Sequence, residues 1–133
     1  MSIEKIIIVE DELVYVAYLR RILENLGFEV CASYSTGEEA VKKIKEDKPD
    51  CILMDIGLSS GMNGITAADI IRKENALPVV FLTSDTNTQQ MELADGISHY
   101  GYLIKPVHPD HLSLTIKSAI QRSRLEAGLD RTI

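Results

Sequence analysis

Lys5-Ile6-Ile7-Ile8-Val9-Glu10-Asp11-Glu12 is the stretch on which the fold turns. Four consecutive apolar, mostly β-branched residues leave no polar face. A strand of this kind must be covered on both sides, as in a parallel sheet flanked by helices. The three acids that follow end it abruptly. Beyond them, Leu13, Val16, Leu19, Leu23 and Leu26 fall at helical spacing, and Gly27 supplies the stop.

The same unit recurs along the chain. Residues 28–33 read as a second strand, and Ser35 or Thr36 can cap a helix that runs to about Asp47, with Ala40, Val41 and Ile44 inward. Cys51-Ile52-Leu53-Met54-Asp55 is a third strand, again apolar and again ending in an acid. A loop rich in Gly, Ser and Asn covers residues 57–64, and residues 65–75 are helical in pattern. Pro78 opens a fourth strand over residues 79–83, and a weaker helix is predicted around residues 88–95. Residues 100–104 form the fifth strand, ending at Lys105-Pro106. Pro109 then starts a last helix, with Leu112, Ile116 and Ile120 on one face.

The whole chain has 133 residues, a length suited to one domain, since domains mostly run to about 100–150 residues. Hydrophobic residues make up 45% and charged residues 26%, so a core can form and disorder is no default. The formal charge is −6. An acidic chain is poorly suited to holding nucleic acid or an anionic membrane through its bulk surface. The longest apolar runs are far short of the roughly 20 residues that a membrane span needs. Cys31 and Cys51 lie in apolar segments and read as free thiols, which points to a reducing, cytoplasmic compartment.

Five β–α units of this kind predict an α/β fold, a doubly wound five-stranded parallel sheet of flavodoxin-like (βα)5 form with strand order 2-1-3-4-5. In such sheets the ligand sits beyond the C-terminal strand ends, where strand order reverses. Four of the five strand ends carry reactive groups there. Glu10 and Asp11 follow strand one, Asp55 ends strand three, Thr83 ends strand four and Lys105 follows strand five. Each alone has a bland explanation: an acid pair at a solvated turn, an acid capping a loop, a β-branched strand residue, a surface lysine. Together they set three carboxylates, a hydroxyl and an ammonium at one edge. Crowded carboxylates repel, and a hard cation with oxygen ligands, such as Mg²⁺, relieves that.

With these residues in place, the sequence resembles a response-regulator receiver domain of two-component signalling. The resemblance rests on Ile7-Ile8-Val9-Glu10-Asp11-Glu12, Ile52-Leu53-Met54-Asp55, Phe81-Leu82-Thr83-Ser84 and Gly101-Tyr102-Leu103-Ile104-Lys105-Pro106, and spans residues of about 4 to 124. It implies a phosphoprotein of a phosphorelay, in which Asp55 takes a phosphoryl group from a phosphohistidine of a sensor histidine kinase or phosphotransfer protein. Mg²⁺ would be held by Asp11, Asp55 and the Gly57 carbonyl, with Glu10 acting directly or through water. Lys105 and Thr83 would contact phosphoryl oxygens. Catalysis of phosphorylation and dephosphorylation would then be partly the domain's own, with no small-molecule substrate turned over. The resemblance further implies a switch, Thr83 moving toward the phosphate and Tyr102 turning inward, that alters a surface read by a downstream protein target. The bland reading of Tyr102 is a half-buried strand tyrosine. The Lys105-Pro106 bond is often cis in receivers.

This chain departs from the family pattern at several points. The first acid is Glu10 rather than the commoner Asp. The loop after Asp55 has no proline after Leu58, and Gly64 falls one residue late, which reads as a one-residue insertion near residues 59–61. Gly57, two after Asp55, and Asp85, two after Thr83, occupy the positions that tune phosphate lifetime in the family. Ser84 stands where alanine is usual.

Other functions fit less well. An aspartyl phosphohydrolase usually carries a second Asp where this chain has Gly57. A flavin carrier needs a Ser/Thr/Gly-rich loop after strand one, and Glu10-Asp11-Glu12 would repel its phosphate. A phosphorylation-independent binding receiver would not need the full set of acids, Thr83 and Lys105. His108 and His111 are three apart but lack further ligands, so surface histidines are expected. The domain reading is a receiver over 1–124, then a helical extension or tail over 125–133 with no output domain in this chain. Either a free-standing receiver or one excised from a longer regulator or hybrid sensor kinase fits. A homodimer formed on phosphorylation is compatible with the sequence, although no heptad run supports it.

Overall fold

The computed structural model describes residues 3–84 and 101–132. Five strands are present among them: β1 (Lys5–Val9), β2 (Glu29–Tyr34), β3 (Cys51–Asp55), β4 (Val79–Thr83) and β5 (Tyr102–Ile104). They form one sheet in the order β2-β1-β3-β4-β5, and every neighbouring pair is parallel. Four helices accompany them: α1 (Leu13–Asn25), α2 (Gly37–Asp47), α3 (Gly64–Glu74) and α4 (Pro109–Thr132). The helix read around residues 88–95, together with Asp85, His99 and Tyr100, lies outside the described residues.

Side chains alternate across the central strands, so each strand feeds two cores. Ile6, Ile8, Leu53, Val80 and Leu82 face α1 and α4, where Val16, Leu19, Leu23, Leu112, Ile116 and Ile120 meet them. Ile7, Val9, Ile52, Met54, Val79 and Phe81 face α2 and α3, against Ala40, Ile44, Ala67, Ala68 and Ile71. This is why the strands read as continuous apolar runs. A fully buried side chain such as Phe81 is worth roughly 1.5–3 kcal/mol of transfer free energy.

The helix starts obey local chemistry. The Thr36 side chain accepts a hydrogen bond from the Glu39 N–H (3.1 Å), and Asn63 accepts one from Thr66 (2.9 Å). Ser35 is therefore not the cap. α1 has no side-chain cap, since Glu12 makes no such bond. The expected inward stripe of α1 needs one correction: Leu13 is exposed, as is Val14, because the first turn of α1 stands above the end of the sheet. The second and fifth strands also start later than read, at Glu29 and Tyr102.

Candidate functional site

Parallel pairing brings the C-terminal ends of β1, β3, β4 and β5 to one edge. The register sets Val9 beside Met54, Asp55 beside Leu82 and Thr83 beside Ile104. Backbone bonds carry the ladder one residue further: Ile56 N–H donates to the Leu82 carbonyl (2.9 Å) and Lys105 N–H to the Thr83 carbonyl (2.8 Å). Glu10, Asp55, Thr83 and Lys105 therefore occupy fixed places in a row.

Glu10, Asp11 and Asp55 do converge. One carboxylate oxygen from each lies within 4.8 Å of the others. Glu10 and Asp55 are buried and Asp11 is partly exposed, so the cluster opens to solvent on one side. The Lys105 ammonium reaches into it. It pairs with Glu10 Oε1 and lies 3.5 Å from Asp55 Oδ2 and 3.8 Å from the exposed Glu12.

The charges shape one another. Burial pushes the Glu10 carboxyl up to about 8, its hydrogen bond with Asp55 adds to this, and Lys105 opposes it. Burial disfavours the Lys105 ammonium, but the hydrogen bond to Glu10 and the charges of Asp55, Glu10 and Glu12 outweigh that and hold its pKa above the ordinary lysine range. Asp11 is held low chiefly by the Ser59 hydroxyl, which donates to its Oδ2, with Ser59 N–H donating to the same oxygen at 3.0 Å. Hard oxygen donors, crowded charge and one open side suit a small divalent cation.

The loop after Asp55 is tied at three points. Gly57 N–H donates to Asp55 Oδ1 (3.0 Å), Ser59 binds Asp11, and Met62 N–H donates to Glu38 on α2 (2.9 Å). Gly61, within the stretch read as an insertion, has φ +69°, in the left-handed region. Gly64 is constrained differently. A Cβ there would stand 2.0 Å from the Asp55 carbonyl oxygen, so only glycine lets α3 start this close to the phosphoacceptor candidate.

Thr83 is fully buried, and its hydroxyl donates to the Ser84 carbonyl (3.0 Å). Tyr102 is half-buried and packs against the α2–α3 side of the core. The Lys105–Pro106 peptide is cis. His108 is exposed, with its ring 6.0 Å from that of His111, as surface histidines would be. Cys51 is buried and Cys31 half-buried, and both are free.

Besides the hold of Ser59 on Asp11, sequence reasoning missed two tyrosines. On α1, Tyr15 lies with its ring 4.8 Å from Lys105 Nζ, and its hydroxyl accepts from Val107 N–H (2.9 Å). Tyr18 donates to the Val107 carbonyl (2.9 Å). The available signal was two phenols three apart in the first turns after the acidic run, beside the apolar stripe rather than on it.

Comparison with known proteins agrees with this geometry. The family profile described as response regulator receiver domain matches residues 6–117. The signal receiver domain of a modulated diguanylate cyclase from Desulfovibrio desulfuricans G20 is 35% identical, with a TM-score of 0.89, covering 94% of this chain and 99% of that one. The receiver domain of sensor histidine kinase PA1611 from Pseudomonas aeruginosa PAO1, described with a magnesium ion in its active-site cleft, is 28% identical with a TM-score of 0.80, covering 90% and 99%. The transcriptional regulatory protein YvrH of Bacillus subtilis is 29% identical over 123 residues, 92% of this chain but 52% of that protein. The chain thus spans about half the length of the curated relatives it matches. Among the described residues no helix is long and apolar enough to cross a membrane. With its sheet order, its strand-end cluster and a profile match over most of its length, the chain belongs to the response regulator receiver domain family of two-component signalling.

Proposed function

We propose that this domain is the phosphoacceptor of a phosphorelay, and that Asp55 is the residue phosphorylated. The observation that carries the reading is the convergence of three carboxylates with one lysine at the strand ends. Asp55 is the nucleophile. One of its oxygens bonds to the phosphorus of a donor phosphohistidine, the P–N bond breaks, and the imidazole leaves. The fixed strand-end position of Asp55 and the Gly57 N–H on its Oδ1 orient the carboxylate for in-line attack.

The residues present fit Mg²⁺, which would be held by Asp11, Asp55 and the Gly57 carbonyl, with Glu10 direct or through water. A bound Mg²⁺ would neutralise charge on the transferring phosphoryl oxygens. Lys105 supplies a second positive charge, paired with a phosphoryl oxygen once it lets go of Glu10. Thr83 gives its hydroxyl hydrogen bond to another, in exchange for the Ser84 carbonyl. Tyr102 then moves inward and changes the surface of β5 and α4, which a downstream protein reads. Gly57 and Asp85 set the rate at which water removes the phosphoryl group. Residues 1–124 form the receiver and 125–133 are a helical extension or tail. The kinase or phosphotransfer protein meets it in the cytoplasm.

The test is incubation with acetyl phosphate and Mg²⁺. The parent chain gains one phosphoryl group that hydroxylamine removes, and Asp55→Asn gains none. A parent chain that gains nothing, or an Asp55→Asn variant labelled equally, contradicts the reading. Gel filtration with beryllofluoride asks whether the phosphorylated form dimerises. A hydrolysis time course for Gly57→Asn and Asp85→Ala that matches the parent removes these two from the lifetime role.

A further inference from the structure

Val107 is the second residue after Lys105, and both of its backbone polar groups are held by one helix. Its N–H is accepted by Tyr15 Oη and its carbonyl accepts from Tyr18 Oη, each at 2.9 Å. Residues three apart on a helix lie on one face, so α1 presents the two phenols side by side, with ring centroids 5.4 Å apart. Pro106 has no N–H, so Val107 offers the first backbone donor after Lys105. On the other side, Lys105 N–H is bound to the Thr83 carbonyl at 2.8 Å. The lysine backbone is therefore pinned between β4 and α1, and the Val107 side chain is buried in the α1–α4 core. The Tyr15 ring also lies 4.8 Å from Lys105 Nζ, within cation–π range.

A tyrosine that only glued α1 to its neighbours would have no need to touch the ammonium as well. We propose that Tyr15 and Tyr18 are positioning residues that fix the backbone and the reach of Lys105, so that its ammonium stands ready to move from Glu10 to a phosphoryl oxygen on Asp55. This rests on the phosphoacceptor reading above. A lysine side chain has four rotatable bonds and no preorganised fork. Holding Val107 at both polar groups fixes the base of that chain. The Tyr15 ring face favours the ammonium near the carboxylates without competing for a phosphoryl oxygen, because a ring accepts no charge-assisted hydrogen bond of comparable strength.

The experiment uses the full chain and the variants Tyr15→Phe, Tyr18→Phe and Tyr15→Leu. Phosphorylation by acetyl phosphate is followed at saturating Mg²⁺, Mg²⁺ binding by calorimetry, and the Lys105 ε-methylene signals by NMR. The maximal phosphorylation rate is expected to fall about threefold in each Phe variant and about tenfold in Tyr15→Leu, with the Mg²⁺ Kd within about twofold of the parent. The Lys105 ε protons, shielded by the ring in the parent and in Tyr15→Phe, move downfield in Tyr15→Leu. Tyr18→Phe keeps the test open if Tyr15→Leu does not fold. Parent-like rates in every folded variant overturn the inference, as does a loss of Mg²⁺ affinity that matches the loss of rate. Failure of the phosphoacceptor reading looks different: the parent itself then takes no phosphate, and the positioning role falls with it.

Discussion

The two halves of the strand-end cleft are built on different supports. Asp55 ends a central strand, and Glu10 and Asp11 directly follow the central strand beside it, so the ladder brings their backbones together and hydrogen bonds within the site, from Gly57 N–H to Asp55 and from Ser59 to Asp11, hold the side chains. Lys105 follows β5, which borders the sheet and has only three residues. Its placement leans on side chains of a distant helix, Tyr15 and Tyr18 of α1. The difference teaches that a carboxylate cluster can be specified by where strands stop. A single cation facing it needs a tertiary brace.

Separate substitutions break this comparison most sharply. Lys105→Met should lower the rate of phosphorylation about a hundredfold, as removal of a preorganised charge does at other transition states. The same change should tighten Mg²⁺ binding, because an internal counter-charge has gone from Glu10 and Asp55. Calorimetry and a labelling time course read the two effects in opposite directions. Weakened Mg²⁺ binding in that variant would mean the lysine supports the acidic half rather than opposing it.

Gly64→Ala strikes the acidic half through its backbone. The added methyl would meet the Asp55 carbonyl at 2.0 Å, so something must move. A loss of about 2–3 kcal/mol in stability is expected, read by denaturant unfolding. Asp11→Asn removes a charge and weakens the acceptor that Ser59 binds. It should weaken Mg²⁺ binding about tenfold or more and lower the thermal midpoint of the metal-free chain by a few degrees at neutral pH, since the fold favours the ionised form of Asp11.

The last effect concerns pH. Glu10 has its pKa raised to about 8, so the metal-free fold keeps a proton that an unfolded chain, with its value near 4.5, releases. That contribution to stability is full below about pH 4.5 and is lost as pH rises through about 8. Where Mg²⁺ displaces the same proton, its Kd should tighten by up to about tenfold per pH unit between about pH 6 and about pH 8, and Glu10→Gln should flatten the dependence.

The fold was legible because the strands are apolar on both faces and the acids mark where they end. Thr36, Gly27 and Pro109 punctuate the helices where the sequence places them. The strand ends likewise located Glu10, Asp11, Asp55, Thr83 and Lys105, since parallel pairing leaves them one edge to share. Leu13 misled because an apolar residue at helical spacing reads as core, whereas it caps a first turn that overhangs the sheet. The hold of Ser59 on Asp11 and of the two tyrosines on Val107 was not legible. Their sequence separations are 48, 92 and 89 residues, and nothing local records which backbone group a hydroxyl meets across such a distance.

The most direct measurement is to locate the phosphoryl group. After acetyl phosphate and Mg²⁺, borohydride reduces an aspartyl phosphate to homoserine, which peptide mass spectrometry places in the sequence. Homoserine at position 55 alone is the predicted result. Phosphate found at another residue, or no homoserine in a chain shown to be folded and to bind Mg²⁺, would contradict the assignment of Asp55 as the acceptor.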